Sequence, residues 1–148
     1  MDRRIGLLDT TILIHSLTND EWSEPATRLL EEIETGRRRV YVDALVVHEF
    51  TFVYRRYRKQ ADREEIATAI LALLGWSGVI GSTVQLREAV ARWQADPGLG
   101  FVDAYLAVRA ATEGMPVYTV NVRDFHRQGV EVPDIGELTS TSMNDSIG

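Results

Sequence analysis

The sequence has no cysteine, a single lysine and no long apolar run. The absence of cysteine excludes a disulfide framework and a thiolate metal site, so a metal ion would have to bind oxygen or imidazole ligands. No segment approaches the roughly 20 apolar residues that a membrane-spanning helix needs, and the first residues do not resemble a signal peptide. We therefore expect a cytoplasmic chain that does not enter a membrane.

The net charge of −6 excludes a nucleic-acid binder that relies on overall positive charge. Of the 16 basic residues only Lys59 is a lysine, and eight of the 16 fall between Arg37 and Arg63. Guanidinium groups bind phosphate through two hydrogen bonds, so this grouping is compatible with a phosphate-binding surface. A solvated helix face explains it equally well.

Short apolar segments alternate with amphipathic helical patterns along the chain. Helices are predicted to start at Asp43 and at Asp62, and another is predicted over residues 101–112 with Leu106 on its apolar side. Residues 5–8, 40–42 and 117–120 are predicted as strands, with shorter strands at 130–132 and 79–80. Strands that alternate with helices predict a parallel sheet covered on both faces. The expected fold is α/β, with three layers and a central parallel sheet of four or five short strands flanked by helices. A single domain is predicted over residues 1–136, followed by a polar, frayed tail over 137–148.

Three acids occupy positions at which apolar side chains are expected. Asp9 directly follows the first strand. Glu49 lies three residues after Val46 and four before Val53, which places it on the predicted core-facing stripe of its helix. Asp103 lies on the apolar stripe of another helix and in its first turn. Each acid has an ordinary structural explanation: a strand-end cap, a buried ion pair and a helix N-terminal acid, respectively.

The predicted topology favours a shared site for these acids. In open parallel sheets, ligands bind beyond the carboxyl ends of the strands. Asp9 and Asn121 are at such ends, and Asp124 follows three residues later. Two carboxylates about 4 Å apart repel by roughly 4 kcal/mol at an effective dielectric near 20, so a cluster needs a cation. Mg²⁺ or Mn²⁺ is the expected occupant of an all-oxygen site.

Four segments resemble motifs of PIN domains, in particular those of VapC-type toxins. They are the run from Leu7 to Ile14 around Asp9, the stretch around Glu49, the helix start around Asp103, and residues 118–125. The resemblance covers roughly residues 5–133. It departs from the family at Thr11, where asparagine or serine is frequent, and at Asn121, where aspartate is frequent.

The resemblance implies a metal-dependent endoribonuclease that acts as the toxin of a VapBC-like toxin–antitoxin pair. Asp9, Glu49 and Asp103 would hold Mg²⁺ or Mn²⁺. Thr11 and Asn121 would orient carboxylates or water. Asp124 would act either as a fourth acid of the site or as a residue that supports the metal ligands without binding the metal. The implied partners are an RNA substrate, a VapB-like antitoxin and a second copy of the chain. The residues that would contact RNA phosphates are Arg37, Arg38, Arg39 and Arg123.

Other residues receive less specific expectations. No catalytic role is expected for the three histidines, His15, His48 and His126. Four aromatic residues are candidates for interfaces, although core packing is the expected role for most: Tyr54, Tyr57, Trp76 and Trp93. Two alternative functions stay open. One is a PIN domain without catalysis that binds RNA or protein, which Asn121 favours, and the other is a different α/β metal-dependent phosphohydrolase.

Overall fold

The computed structural model describes residues 3–138. In chain order its elements are β1 (Gly6–Leu7), α1 (Thr10–His15), α2 (Ser23–Glu34), β2 (Val40–Tyr41), α3 (Ala44–Tyr57), α4 (Arg63–Leu74), α5 (Val84–Ala95), α6 (Phe101–Glu113) and α7 (Val122–Arg127). A further helical stretch begins at residue 135. Most of the predicted polar tail, residues 139–148, lies outside the described residues.

The sheet begins as predicted but is smaller. β1 and β2 pair in parallel, with Gly6 opposite Val40 and Leu7 opposite Tyr41. On the far side of β2, Val79 forms an isolated parallel bridge with Val40. The predicted strands at 5–8 and 40–42 are therefore confirmed in shortened form, and the predicted stub at 79–80 is present as a bridge.

The expected sheet of four or five strands is not found within residues 3–138. Residues 117–120 and 130–132 are irregular, and a single backbone hydrogen bond joins them, from Val117 N to Glu131 O at 3.0 Å. The side chains of Tyr118 and Val120 are 69% and 87% exposed. Apolar, β-favouring residues form a strand only where a neighbouring strand is available to pair with, and residues 117–120 have only the one hydrogen bond to Glu131, although Val117 packs on a small apolar cluster.

The main core includes α4, α5 and α6, and α5 packs against both of the other two helices. Fully buried side chains from each of these helices meet there, such as Ile66, Val90 and Val108. No helix among residues 3–138 combines the length and apolar character that crossing a bilayer requires.

Arg63 ties α4 to the turn before α6. Its Nη1 donates to the carbonyl oxygens of Trp93, Asp96 and Leu99 at 2.6, 3.1 and 2.7 Å. Its guanidinium also lies 4.6 Å from the centre of the Trp93 ring. Since these carbonyls are in the segment that leads to Phe101, Arg63 fixes the start of α6.

A second, smaller apolar cluster holds the C-terminal part of the described chain. Ala107 and Ala110 of α6 pack there with Phe125 of α7 and with Val130. The chain reverses after α6 at Gly114, whose φ of +66° is readily adopted by glycine. The sequence pattern placed Leu106 on the buried side of α6, which is wrong because that side chain is 40% exposed.

Candidate active site

The first part of the candidate site is the junction of β1 and α1. Asp9 is the residue before α1 and is exposed. The Thr11 hydroxyl donates to Asp9 Oδ2 at 2.6 Å. This hydrogen bond lowers the pKa of the Asp9 carboxyl, so the group is an anion at neutral pH. Thr11 thus holds an accessible carboxylate in one orientation, leaving Oδ1 as the oxygen not engaged by its hydroxyl.

The second part lies where α6 begins and α7 begins. Asp103 is in the first turn of α6 and is half-buried. The side-chain amide of Asn121 donates from Nδ2 to Asp103 Oδ2 at 3.4 Å and to Asp124 Oδ2 at 2.8 Å. Asn121 N donates to Thr119 Oγ1 at 2.9 Å, which anchors the backbone there. The structure therefore brings together three of the predicted site residues, with a neutral amide between two carboxylates.

Asp124 has a basic partner of its own. Arg127 Nη2 lies 3.1 Å from Asp124 Oδ1 and 2.8 Å from Asp96 Oδ2. Both oxygens of Asp124 are thus engaged, one by the Asn121 amide and the other by a guanidinium. Of the two roles considered for Asp124, this arrangement fits a residue that holds Asn121 better than a fourth metal ligand. Arg127 was not singled out from the sequence, although its i, i+3 spacing from Asp124 was a signal.

The predicted core-facing orientation of Glu49 is wrong. The buried side of α3 consists of Val47, Phe50, Thr51 and Tyr54, whereas Glu49 is exposed. Val46 and Val53, which suggested a buried stripe, are only half-buried. The Glu49 side chain makes no hydrogen bond or ion pair with the other residues between 3 and 138. Because its carboxylate is solvated, the charge has no desolvation cost and does not by itself require a cation.

His48 connects α3 to the start of α6. Its ring stacks on Phe101, with centroids 6.2 Å apart, and meets Phe52 edge-on at 5.3 Å. Its Nδ1 is buried and has no hydrogen-bond partner among the described residues. The sequence pattern gave His48 no role, and the i, i+4 spacing from Phe52 was the available signal. The contact places α3 beside the turn that carries Asp103.

The candidate site has side chains of the right chemistry to bind a metal, but the structure does not bring enough of them together. Carboxylate and amide oxygens are ligands that Mg²⁺ and Mn²⁺ accept. Within residues 3–138, however, no three His, Asp or Glu side chains form a group that could hold a metal ion. The convergence of Asp9, Glu49 and Asp103 therefore stays a prediction. What the structure brings together is Asp9 with Thr11, and Asp103 with Asn121 and Asp124.

The four arginines expected to contact RNA differ in their surroundings. Arg37 is exposed, and its Nε donates to Thr35 Oγ1 at 3.4 Å. Arg38 pairs with Glu32, with 2.8 Å between Nε and Oε2. Arg39 and Arg123 are exposed and have no ion pair within the part of the chain that the structure describes. The charge of Arg39 and Arg123 is therefore available to an anionic ligand.

The four aromatic residues considered for interfaces divide between the core and the surface. Tyr54 and Trp93 are buried in the main core, and Trp76 packs against it. Tyr57 is 50% exposed. Core packing, the expected role for most of these residues, is confirmed for the first three.

Comparison with known proteins places the chain in a family. The model of the PIN domain matches residues 6–130, which is most of the chain. No curated protein and no solved structure matches the chain. PIN domains are generally nucleases, which hydrolyse phosphodiester bonds. The matched range includes Asp9, Glu49, Asp103 and Asn121. From this match, the chain belongs to the PIN-domain family.

Proposed function

We propose that this PIN domain is a Mg²⁺- or Mn²⁺-dependent endoribonuclease. The observation that carries the proposal is the family match over residues 6–130, because PIN domains are generally nucleases and the family suggests RNA as the ligand. A single domain over residues 1–136 would carry the activity. The proposal is also supported by the accessible Asp9 carboxylate and by the hydrogen-bonded Asp103 and Asn121 side chains, whose oxygens are ligands that Mg²⁺ and Mn²⁺ accept.

The family resemblance assigns each site residue a role, and contacts support the roles of Thr11, Asn121 and Asp124. Asp9, Glu49 and Asp103 would hold the metal, which when bound supplies a water of lowered pKa and stabilises charge on the phosphate. Thr11 keeps the Asp9 carboxylate ionised and oriented. Asn121 orients Asp103 through its amide, and Asp124 holds Asn121. The flanking RNA phosphates would be contacted by Arg37, Arg38, Arg39 and Arg123.

In biological terms we propose the toxin of a VapBC-like pair, which acts in the cytoplasm as a homodimer and is inhibited by a VapB-like antitoxin. The resemblance of the Asp9, Glu49, Asp103 and Asn121 segments to VapC-type toxins supports this role. Exposed apolar side chains such as Leu45, at 75%, are suitable for protein interfaces. The test is genetic: expression of the chain should arrest growth, and a small DNA-binding protein encoded beside it should relieve the arrest.

The enzymatic proposal is tested by Asp103→Asn, with Glu113→Gln at the opposite end of α6 as the matched control. With Mn²⁺ and purified, antitoxin-free protein, we expect the wild type and Glu113→Gln to cleave RNA and Asp103→Asn to be inactive with an unchanged circular dichroism spectrum. Equal cleavage by Asp103→Asn and wild type would remove Asp103 from the mechanism. Parallel assays on DNA and small phosphate esters test the alternative of a different phosphohydrolase.

A second candidate function is a PIN domain that binds RNA or protein without cutting it. The observation that favours it is the internal charge compensation at Asn121 and Arg127, which makes the two aspartates tolerable without a cation. This alternative predicts that no RNA is cleaved by the wild type at any Mg²⁺ or Mn²⁺ concentration. It also predicts that neither ion changes the melting temperature, because a bound ion would stabilise the native state.

A further inference from the structure

Two neighbouring grooves share lining residues of α1 and α2, and one of them extends past Asp9 to β1 and β2. One, of about 550 Å³, is lined by apolar residues of the β1 and β2 region together with Arg4, Asp9, Arg38 and Arg39, and we call it the polar arm after these four charged residues. The other, of about 450 Å³, is lined mostly by apolar side chains including Trp22 and Pro25, and we call it the apolar arm. Three side chains line both arms: Thr11, Ile12 and Leu29. The arms are therefore adjacent, and Thr11, whose hydroxyl holds the Asp9 carboxylate, borders both of them.

The polar arm offers a cation, Arg39, whose backbone lies near Asp9. Arg39 is exposed and makes no ion pair with any described residue. Its carbonyl oxygen accepts from Gly6 N at 3.1 Å, which places its backbone beside Gly6, three residues before Asp9. At about 3.3 Å per residue this corresponds to about 10 Å along the strand. A phosphate at Arg39 would thus belong to a nucleotide close to the one at Asp9.

The apolar arm offers an exposed aromatic side chain on an anchored stretch of backbone. Trp22 is 58% exposed, whereas Trp93 is buried and Trp76 is half-buried. Trp22 N donates to Asp20 Oδ1 at 2.8 Å, and the Asp20 carboxylate is itself bound by Thr18 and His15. The position of the Trp22 backbone is thereby fixed. An exposed indole in an apolar groove is a suitable surface for stacking an unpaired base, which is worth about 1–3 kcal/mol per base.

We propose that the two arms form a binding channel for single-stranded RNA, in which an unpaired base stacks on Trp22 and a backbone phosphate binds Arg39. The chain of the nucleic acid then passes Asp9 and Thr11. The choice of RNA rests on the proposed function. Single-stranded RNA is favoured over duplex because a base in a helix is not free to stack on an aromatic side chain. RNA is favoured over an apolar peptide because the channel continues into an arginine-lined arm.

Binding without cleavage tests the channel. The probe is a short, labelled single-stranded RNA whose anisotropy is followed in EDTA and again in Ca²⁺. We expect Trp22→Ala to weaken binding about tenfold and Trp22→Phe to restore most of it. Arg39→Ala should weaken binding about fivefold and reduce the slope of log affinity against log salt by about 0.7.

Matched controls come from exposed residues elsewhere, with Tyr57→Ala for the aromatic change and Arg109→Ala for the charge change. Both should bind like the wild type. An RNA with abasic sites should bind the wild type and Trp22→Ala equally, since the base that stacks is missing.

Three results would overturn the channel: no RNA binding by the wild type, equal affinity of Trp22→Ala and wild type for intact RNA, or tighter binding of duplex than of single strand. Binding of an apolar helical peptide, with no RNA binding, would assign the apolar arm to a protein partner instead. Failure of the proposed function looks different. Trp22-dependent binding without cleavage in Mn²⁺ would refute the nuclease and leave the channel intact.

Discussion

The two halves of the candidate site carry their negative charge in different ways. At the β1–α1 junction, Asp9 is exposed and is held by the neutral hydroxyl of Thr11. At the α6–α7 junction, the carboxylates of Asp103 and Asp124 share the Asn121 amide, and Asp124 is also paired with Arg127. The first half keeps its charge accessible, whereas much of the charge of the second half is compensated within the protein.

This difference indicates which acids suit a cation. A carboxylate held by a neutral donor keeps its full charge for a ligand, while one paired with a guanidinium must exchange that partner before it can bind a metal. Asp9 therefore fits a metal ligand, and Asp124 fits a positioning residue. Asp103, whose carboxylate contacts only the Asn121 amide among residues 3–138, at 3.4 Å, is intermediate between them.

The largest expected effect separates Asp9 from Asp124. Asp9→Asn should reduce Mn²⁺-dependent RNA cleavage to background because it removes the accessible charge. Asp124→Asn should reduce cleavage about 10- to 100-fold, the range typical of residues that orient a ligand. Single-turnover rates on one RNA, with circular dichroism as a control for folding, measure both. Equal losses in the two variants would contradict the assigned roles.

A second expected effect concerns how each half is supported. Phe125→Ala removes the largest buried side chain of the small cluster beneath α7, and Phe→Ala changes in cores cost about 3–5 kcal/mol. We expect faster amide hydrogen exchange over residues 117–130, with exchange in α1 unchanged. Leu106→Ala, on an exposed face of α6, is the control and should leave both regions unchanged. Uniformly faster exchange would mean that the two halves unfold together.

A third, smaller effect adds charge to the compensated half. Asn121→Asp removes the bridging amide and places a third carboxylate beside Asp103 and Asp124, so we expect a loss of about 1–3 kcal/mol of unfolding free energy in EDTA. Because the new acid also creates a better cation site, Mn²⁺ should raise the melting temperature more in this variant than in the wild type. Asn19→Asp is the control for added charge. A melting temperature that does not respond to Mn²⁺ in Asn121→Asp would contradict the expectation.

Local signals in the sequence predicted the elements that depend on local chemistry. Asp43 accepts from Leu45 N at 2.8 Å and Asp62 accepts from Glu65 N at 2.8 Å, so both predicted helix starts are confirmed. The helix predicted over residues 101–112 is α6, Phe101–Glu113, with Asp103 in its first turn as expected. These features depend only on residues close together in the sequence, so a pattern over a few positions is enough to predict them.

Features that depend on distant partners were predicted less well. The apolar run at 117–120 favours a strand, but strand formation requires an edge to pair with, which no local pattern specifies. The orientation of Glu49 depends on a rotation of about 100° per residue, and so the half-buried positions of Val46 and Val53 misled the assignment. The contact of Asn121 with Asp103 requires the reversal at Gly114 and the packing of Phe125, which spacing alone does not reveal.

The smallest expected effect uses Asp20, a second aspartate held by a threonine hydroxyl two residues away. The Thr18 hydroxyl, 2.7 Å from Oδ2, is the main cause that lowers the pKa of Asp20 from 3.8 to about 2. A lowered native pKa means that the ionised form stabilises the fold. That contribution is complete above about pH 4 and is lost as the pH falls towards 2. Asp20→Asn should therefore show a flatter decline of unfolding free energy between pH 4 and 2 than the wild type, measured by urea titration. Thr18→Val keeps the carboxylate but removes its main donor, so its decline of unfolding free energy should be intermediate between those of the wild type and Asp20→Asn. A decline as steep in Asp20→Asn as in the wild type would assign the acid sensitivity to other carboxylates.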